Sequence, residues 1–299
     1  MEELSNLQKS FELVKKHKII FIPNLLIMIS NSILVLLLYL ILYLSGINIY
    51  NETQEISIIL ILSLFTILIL MALIDNFFTC SKYGMIKDIV KKNKTSLISG
   101  FKFGKKFYFT SLKIHLIVYT LLLLPLFIIA LLITELSYGW LLKIIFLTLL
   151  TFYLIYVSLR LLFIFPIMAF EEKGAYYSFR EGFHYIKLHL QHNIMTWIFA
   201  IGIALSFSLV KQMIKEELLS FAGIYIVLSL LGLTILALIE IGVSLWEHMF
   251  IFQAYLTGKK DNITKRKKST SNKKNRVKQK KEVITKKTYT KKKDVKKKR

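Results

Sequence analysis

The chain has 299 residues, 55% of them hydrophobic, yet it carries a formal net charge of +23. A soluble domain of this length would be less apolar and nearer neutrality, so an ordinary globular enzyme is excluded as a reading of the whole chain. The two extremes separate: residues 257–299 hold 21 of the 41 Lys and Arg and only three acids, a net +18 that leaves +5 for the first 256 residues.

The first apolar run covers 19–44. It is about twice the length of a signal-peptide core and no small-residue cleavage site follows it, which predicts a retained span. Five more stretches, near 57–79, 108–134, 140–170, 193–212 and 221–256, reach the ~20 residues needed to cross hydrocarbon. Several are longer than that, which predicts tilt or interfacial extension. All are continuous rather than alternating, which favours helices over a barrel. The expected fold is all-α: a polytopic transmembrane helical bundle of six spans.

Basic residues set the orientation. Lys9, Lys15, Lys16 and Lys18 precede span 1, and the connection 45–56 has no Lys or Arg. The connection 80–107 has eight Lys, 135–139 has none, and 171–192 has Lys173, Arg180 and Lys187. Lys215 is the single basic residue of 213–220, and the tail follows. By the positive-inside rule both termini are cytosolic, at the plasma membrane, with short outer loops. Span 5 has the least asymmetric flanks. Cys80, the single thiol, rules out an intrachain disulfide or a Cys-based metal site. It is expected at the cytosolic end of span 2, where an impermeant thiol reagent added outside would not reach it.

The segments before the odd spans resemble each other. Phe101-Lys102-Phe103-Gly104-Lys105-Lys106-Phe107 aligns with Phe179-Arg180-Glu181-Gly182-Phe183-His184-Tyr185, and Ser10-Phe11 to Lys15-Lys16 is a fainter third copy. Such self-similarity predicts three repeats of an interfacial helix plus two membrane helices. Lysines on one face and aromatic rings on the other would lie in the interface plane and meet anionic lipid headgroups. Lys102, Lys105, Lys106, Arg180 and Lys187 are the candidate lipid contacts. These segments serve either as helix-entry anchors or as a dedicated binding surface.

With "SFREGFHYIK" and "SGFKFGKKFYF" before apolar pairs, "FPIMAFEEKGAYYSF" after span 4 and "FQAYLTGKK" closing span 6, the chain resembles a group of prokaryotic six-span proteins. The group includes the membrane domain attached to some glycerophosphoryl diester phosphodiesterases and stand-alone relatives. The resemblance covers about residues 5–260 and omits the tail. It implies architecture and not activity, because no segment here corresponds to the soluble phosphodiesterase domain.

Ionisable residues within spans are costly and mark candidate sites. Asp75 lies in span 2, Arg160 in span 4, and Glu240 and Glu247 in span 6. Glu240, Ser244, Glu247 and His248 fall on one helix face, and Asp75 with Arg160 is a conceivable ion pair. Asn24, Asn31 and Ser32 add polar positions in span 1. These residues fit either hydrogen-bonded packing or a transport site. Pro125 predicts a kink in span 3, whereas Pro23 and Pro166 lie near span ends.

Catalytic signatures are missing: there is no HExxH, GxSxG, P-loop or strand-linked GxGxxG. His17, His115, His184, His189, His192 and His248 are scattered, so neither a metal nor another cofactor is expected. Glu171-Glu172 reads as a span exit. The tail, 257–299, has Tyr289 as its single aromatic. It is expected to be disordered and to meet an anionic partner: the lipid leaflet, ribosome or other RNA, or DNA. Without stacking rings, nucleic-acid binding there would run through phosphates. The leading expectation is a non-enzymatic scaffold that binds anionic lipid or a partner. The alternative is a small-solute transporter or channel using Arg160, Glu240 and Glu247.

Overall fold

The computed structural model describes residues 2–44, 58–135, 140–220 and 225–259. The Lys-free connections 45–56 and 136–139 and the tail from 260 onward lie outside the described residues. The chain divides into Met1–Tyr255 and Leu256–Arg299; of the second unit only Leu256 to Lys259, in helical geometry, is described.

Among the described residues there are helices and no strands. In chain order they are α1 (Glu2–Lys16), a 3-10 turn (Lys18–Ile20), α2 (Phe21–Leu44), α3 (Ile58–Lys92) and α4 (Leu97–Glu135). Then come α5 (Trp140–Leu161), α6 (Ile164–Glu171), α7 (Ala175–Leu188), α8 (Leu190–Ser220) and α9 (Ile226–Lys259). Six helical stretches are long and apolar enough to cross a membrane, matching the six expected spans.

Several boundaries differ from the apolar runs. α3 continues 13 residues past Thr79 to Lys92, through a stretch expected to be connection. It stops at Asn93, whose left-handed backbone (φ 53°) lets its N–H close on the Ile89 carbonyl at 2.8 Å, a common way to end a helix. α4 starts four residues later, at Leu97, because Ser96 Oγ accepts from the Ser99 N–H at 3.2 Å, satisfying a first-turn donor. The expected single span 4 is two helices, α5 and α6, broken at Leu162–Phe163. Pro166 accounts for the break: its ring would clash with the carbonyl four residues back in a continuous helix. Pro125, by contrast, sits inside a continuous α4. Proline has no N–H to offer the Leu121 carbonyl; Tyr153 Oη donates to it instead, at 2.9 Å.

The three repeats are visible as a shared burial pattern. Ile67, Leu150 and Leu236 are 5%, 8% and 5% exposed, and Cys80, Phe163 and Met249 are fully buried. Within each trio the spacing is 83 and then 86 residues, so α3, α5–α6 and α9 present the same positions inward. Each repeat also carries a buried small residue with a second buried position one turn on: Ser10 with Val14, Gly100 with Gly104, Ser178 with Gly182. Small residues at this spacing let helices approach closely. A Cβ on Gly100 would come 2.6 Å from Met85 Cγ, and one on Gly104 would overlap Ser81 Oγ. A Cβ on Gly182 would sit 3.3 Å from Ile164 Cγ1.

Each interfacial segment therefore docks on the returning helix of the preceding repeat: α4 on α3, and α7 on α5–α6. The first segment, α1, docks on the last helix. Trp246 Nε1 of α9 donates to the Leu7 carbonyl at 3.1 Å, and Phe11 meets the Trp246 ring edge-on at 5.4 Å. The repeats close into a ring. At its centre Tyr83 of α3 lies 4.9 Å from Phe165 of α6 and stacks at 5.6 Å on Phe252 of α9. The expected separate interfacial helix is present as α1 and α7. In the second repeat it is the first part of α4, since no residue there leaves helical geometry as His17 and His189 do.

Candidate functional site

The ring gathers α1, the α3–α4 turn and α7 at one end of the bundle, called here the basic face. All five predicted contact residues, Lys102, Lys105, Lys106, Arg180 and Lys187, are exposed on it. Small residues turn inward together with Phe103, Phe107 and Tyr185, so the lysines and a few of the rings are left outward. Phe11, Tyr176 and Phe183 are among the exposed aromatics beside these charges. Arg180 places its guanidinium 5.8 Å over the Tyr177 ring.

Lys106 differs from the others. Its ammonium is 2.6 Å from Glu172 Oε2, while Lys87 holds Oε1 at 3.0 Å. This joins α3, α4 and the end of α6. The hydrogen bonds from Lys106 and then Lys87 bring the Glu172 carboxyl down to about 2. A depressed carboxylate adds stability that is full above its unfolded value near 4.5 and is lost as pH falls through the folded value. Glu172 is 42% exposed and Lys106 61%, so the contribution is that of a surface pair, about 1 kcal/mol or less. Glu172→Gln is expected to lower the melting temperature slightly at neutral pH. The gap to wild type should shrink below pH ~4.5 and close toward pH ~2, as read by thermal unfolding across pH.

The intramembrane candidates go to separate places. Asp75 is not paired with Arg160. Both of its carboxylate oxygens accept from Asn31 Nδ2, at 3.2 and 3.3 Å, because that face of α3 meets α2. Arg160 instead faces α7, donating to the Phe183 carbonyl at 3.4 Å and covering the Tyr156 ring at 5.1 Å. Glu240 is exposed and bound to Lys211 of α8 at 2.6 Å. Ser244 lies 3.4 Å from His248 Nδ1. Glu247 lies two turns from Glu240, ~10 Å further toward the C-terminal end of α9, and the basic group its charge acts on is a different one, Lys82.

Lys82 is what the sequence reading missed. Placed in the connection 80–107, it is 5% exposed within α3. Among the described residues it forms no hydrogen bond or ion pair; its ammonium lies 5.7 Å from the Tyr83 ring centroid, and Glu247 is the acid whose charge acts on it. His115, left among the scattered histidines, borders the same region. It lies 3.0 Å from Asn76 Oδ1 and 4.7 Å, centroid to centroid, from Phe165. The available signal was Cys80, Ser81, Gly84 and Met85, which continue a buried face past the apolar window.

The remaining histidines do not converge. His192 bridges the Glu3 carboxylate at 3.2 Å and the Ala254 carbonyl at 3.1 Å, whereas His189 lies against the Tyr185 ring at 4.8 Å. Cys80 is fully buried, so it serves as no topology probe from either side.

These helices define an all-α, multi-pass membrane protein. No protein-family model, curated protein or solved structure matches the chain.

Proposed function

We propose that the protein is a non-enzymatic scaffold of the plasma membrane that binds anionic lipid headgroups through its basic face, with both termini cytosolic. The observation that supports this reading is the outward placement of Lys102, Lys105, Arg180 and Lys187 on the interfacial segments with exposed Phe11, Tyr176 and Phe183, their small residues being used for docking. Rings at headgroup depth with cations beside them suit an anionic leaflet. The lysine distribution supports the orientation. The +18 of residues 257–299 adds a second anion-binding segment for lipid, or for an RNA such as the ribosome's.

The test reconstitutes the full chain in mixed bilayers and measures its selectivity for spin-labelled phosphatidylglycerol over phosphatidylcholine. Lys102→Gln, Lys105→Gln and Arg180→Gln together are expected to reduce that selectivity several-fold, and 1 M salt to weaken it in the wild type. Equal affinity of the wild type for both lipids would sink the reading. A second reading, a small-solute transporter, draws on the buried Lys82 ammonium, on which the charge of Glu247 acts; under it Lys82→Met abolishes solute flux in proteoliposomes and leaves lipid selectivity intact.

A further inference from the structure

Two grooves on the sides of the bundle share one design. The first, of 630 Å³, lies between α1 and α9; the second, of 410 Å³, lies between α7 and α5. Both volumes are in the range of ligand pockets. The α9 wall of the first is Ile239, Gly242, Val243 and Trp246. The α5 wall of the second is Tyr153, Tyr156, Val157 and Arg160, each 86 positions earlier, the spacing that relates the buried cores of these two repeats. Each groove also has two cations at its basic-face end: Lys15 and Lys18 in one, Arg160 and Lys187 in the other.

The third equivalent position is filled by the protein itself. Stepping Lys18 forward by 90 residues gives Tyr108, and stepping Gly242 back by 169 gives Leu73. Tyr108 Oη donates to the Leu73 carbonyl at 3.3 Å across that gap. Phe77, the counterpart of Trp246, contacts Phe101 at 6.0 Å and Tyr108 at 6.5 Å between ring centroids. Where the first repeat has a lysine opposite a glycine, the second has a tyrosine bonded to the opposing helix.

We infer that the two open grooves are discrete sites for an anionic phospholipid, one molecule each, with an acyl chain along the apolar wall and the phosphate on the paired cations. The occupant follows from the walls and the charges. The walls are apolar and lipid-facing, with Ile239 50% and Tyr156 58% exposed, so a small soluble anion would gain nothing from them. Two cations at one end match a phosphodiester, not a neutral sterol or a zwitterion. This rests on the proposed function and narrows it from a general basic surface to two sites.

Gly242 allows the grooves to be tested apart from the charges. A Cβ there meets Phe21 ring carbons at 3.7 and 3.9 Å, so Gly242→Leu fills the first groove from its wall without displacing backbone. The experiment is native mass spectrometry of the full-length chain in detergent, titrated with phosphatidylglycerol, with phosphatidylcholine and inorganic phosphate as separate arms. Wild type is expected to retain up to two phosphatidylglycerol molecules and to lose neither to inorganic phosphate. Gly242→Leu should retain one. Lys15→Gln with Lys18→Gln should weaken that same site roughly thirtyfold, at ~1 kcal/mol per lysine, and Arg160→Gln should remove the other. Unchanged retention by Gly242→Leu would overturn the sites while leaving the basic-face reading, which the Lys102, Lys105 and Arg180 variants test away from both grooves. Equal retention of phosphatidylcholine, or displacement by inorganic phosphate, would overturn them too.

Discussion

Glu247→Leu is expected to destabilise the bundle, because it removes the acid whose charge acts on the buried Lys82 ammonium, whereas Lys82→Met should be neutral or stabilising. Lys82 is 5% exposed, and the acid that acts on it is Glu247. Removing the acid strands an ammonium among Tyr83, His115 and His248; removing the ammonium leaves a side chain of similar volume in an apolar setting. Replacing a buried charge by an apolar group of similar volume is often tolerated, unlike removing the opposite charge that acts on it. The double variant Lys82→Met, Glu247→Leu should therefore recover most of the stability lost by Glu247→Leu. Denaturant unfolding in detergent reads all three. A Lys82→Met loss as large as that of Glu247→Leu would mean that the two charges are not coupled in this way.

The second large effect concerns α3 against α4. A Cβ on Gly84 would lie 2.5 Å from Phe103 Cβ and 2.6 Å from Cγ, atoms that cannot swing aside because they are next to the backbone. Gly84→Ala must push the two helices apart, an overpacking cost of about 1–3 kcal/mol or more. Gly202, in the middle of α8, has nothing within 4 Å of such a Cβ. Gly202→Ala should accordingly be neutral or slightly stabilising, by up to ~1 kcal/mol from helix propensity. If both glycine variants melt alike, close approach of α3 and α4 is not what Gly84 provides.

The six spans were readable because each needs about 20 apolar residues in a row and the sequence supplies them. The repeat was readable from the Phe-basic-x-Gly segments, although its physical meaning was not. Those glycines are docking positions, as Ser81 and Ile164 beside them make plain. Helix ends were read less well. An apolar window stops where lysines begin, but Lys82 and Lys87 continue α3 because other helices cover them. The same blindness hid the buried ammonium. Polar pairing could not be read at all: Asp75 and Arg160 are of opposite charge, yet the rotation of each helix points one at Asn31 and the other at Phe183. The groove pair needed both the repeat register and the side chains, since Lys18 and Tyr108 differ in role only through what faces them.

Everything proposed for the basic face depends on the ring being closed, with α1 seated on α9. A photoreactive diazirine amino acid in place of Leu7, whose carbonyl accepts from Trp246 at 3.1 Å, reports on this contact in intact membranes. Irradiation and peptide mapping should give a cross-link to α9 close to Trp246. Cross-links confined to lipid, or to α4 and α5, would contradict the closed ring and with it the first groove.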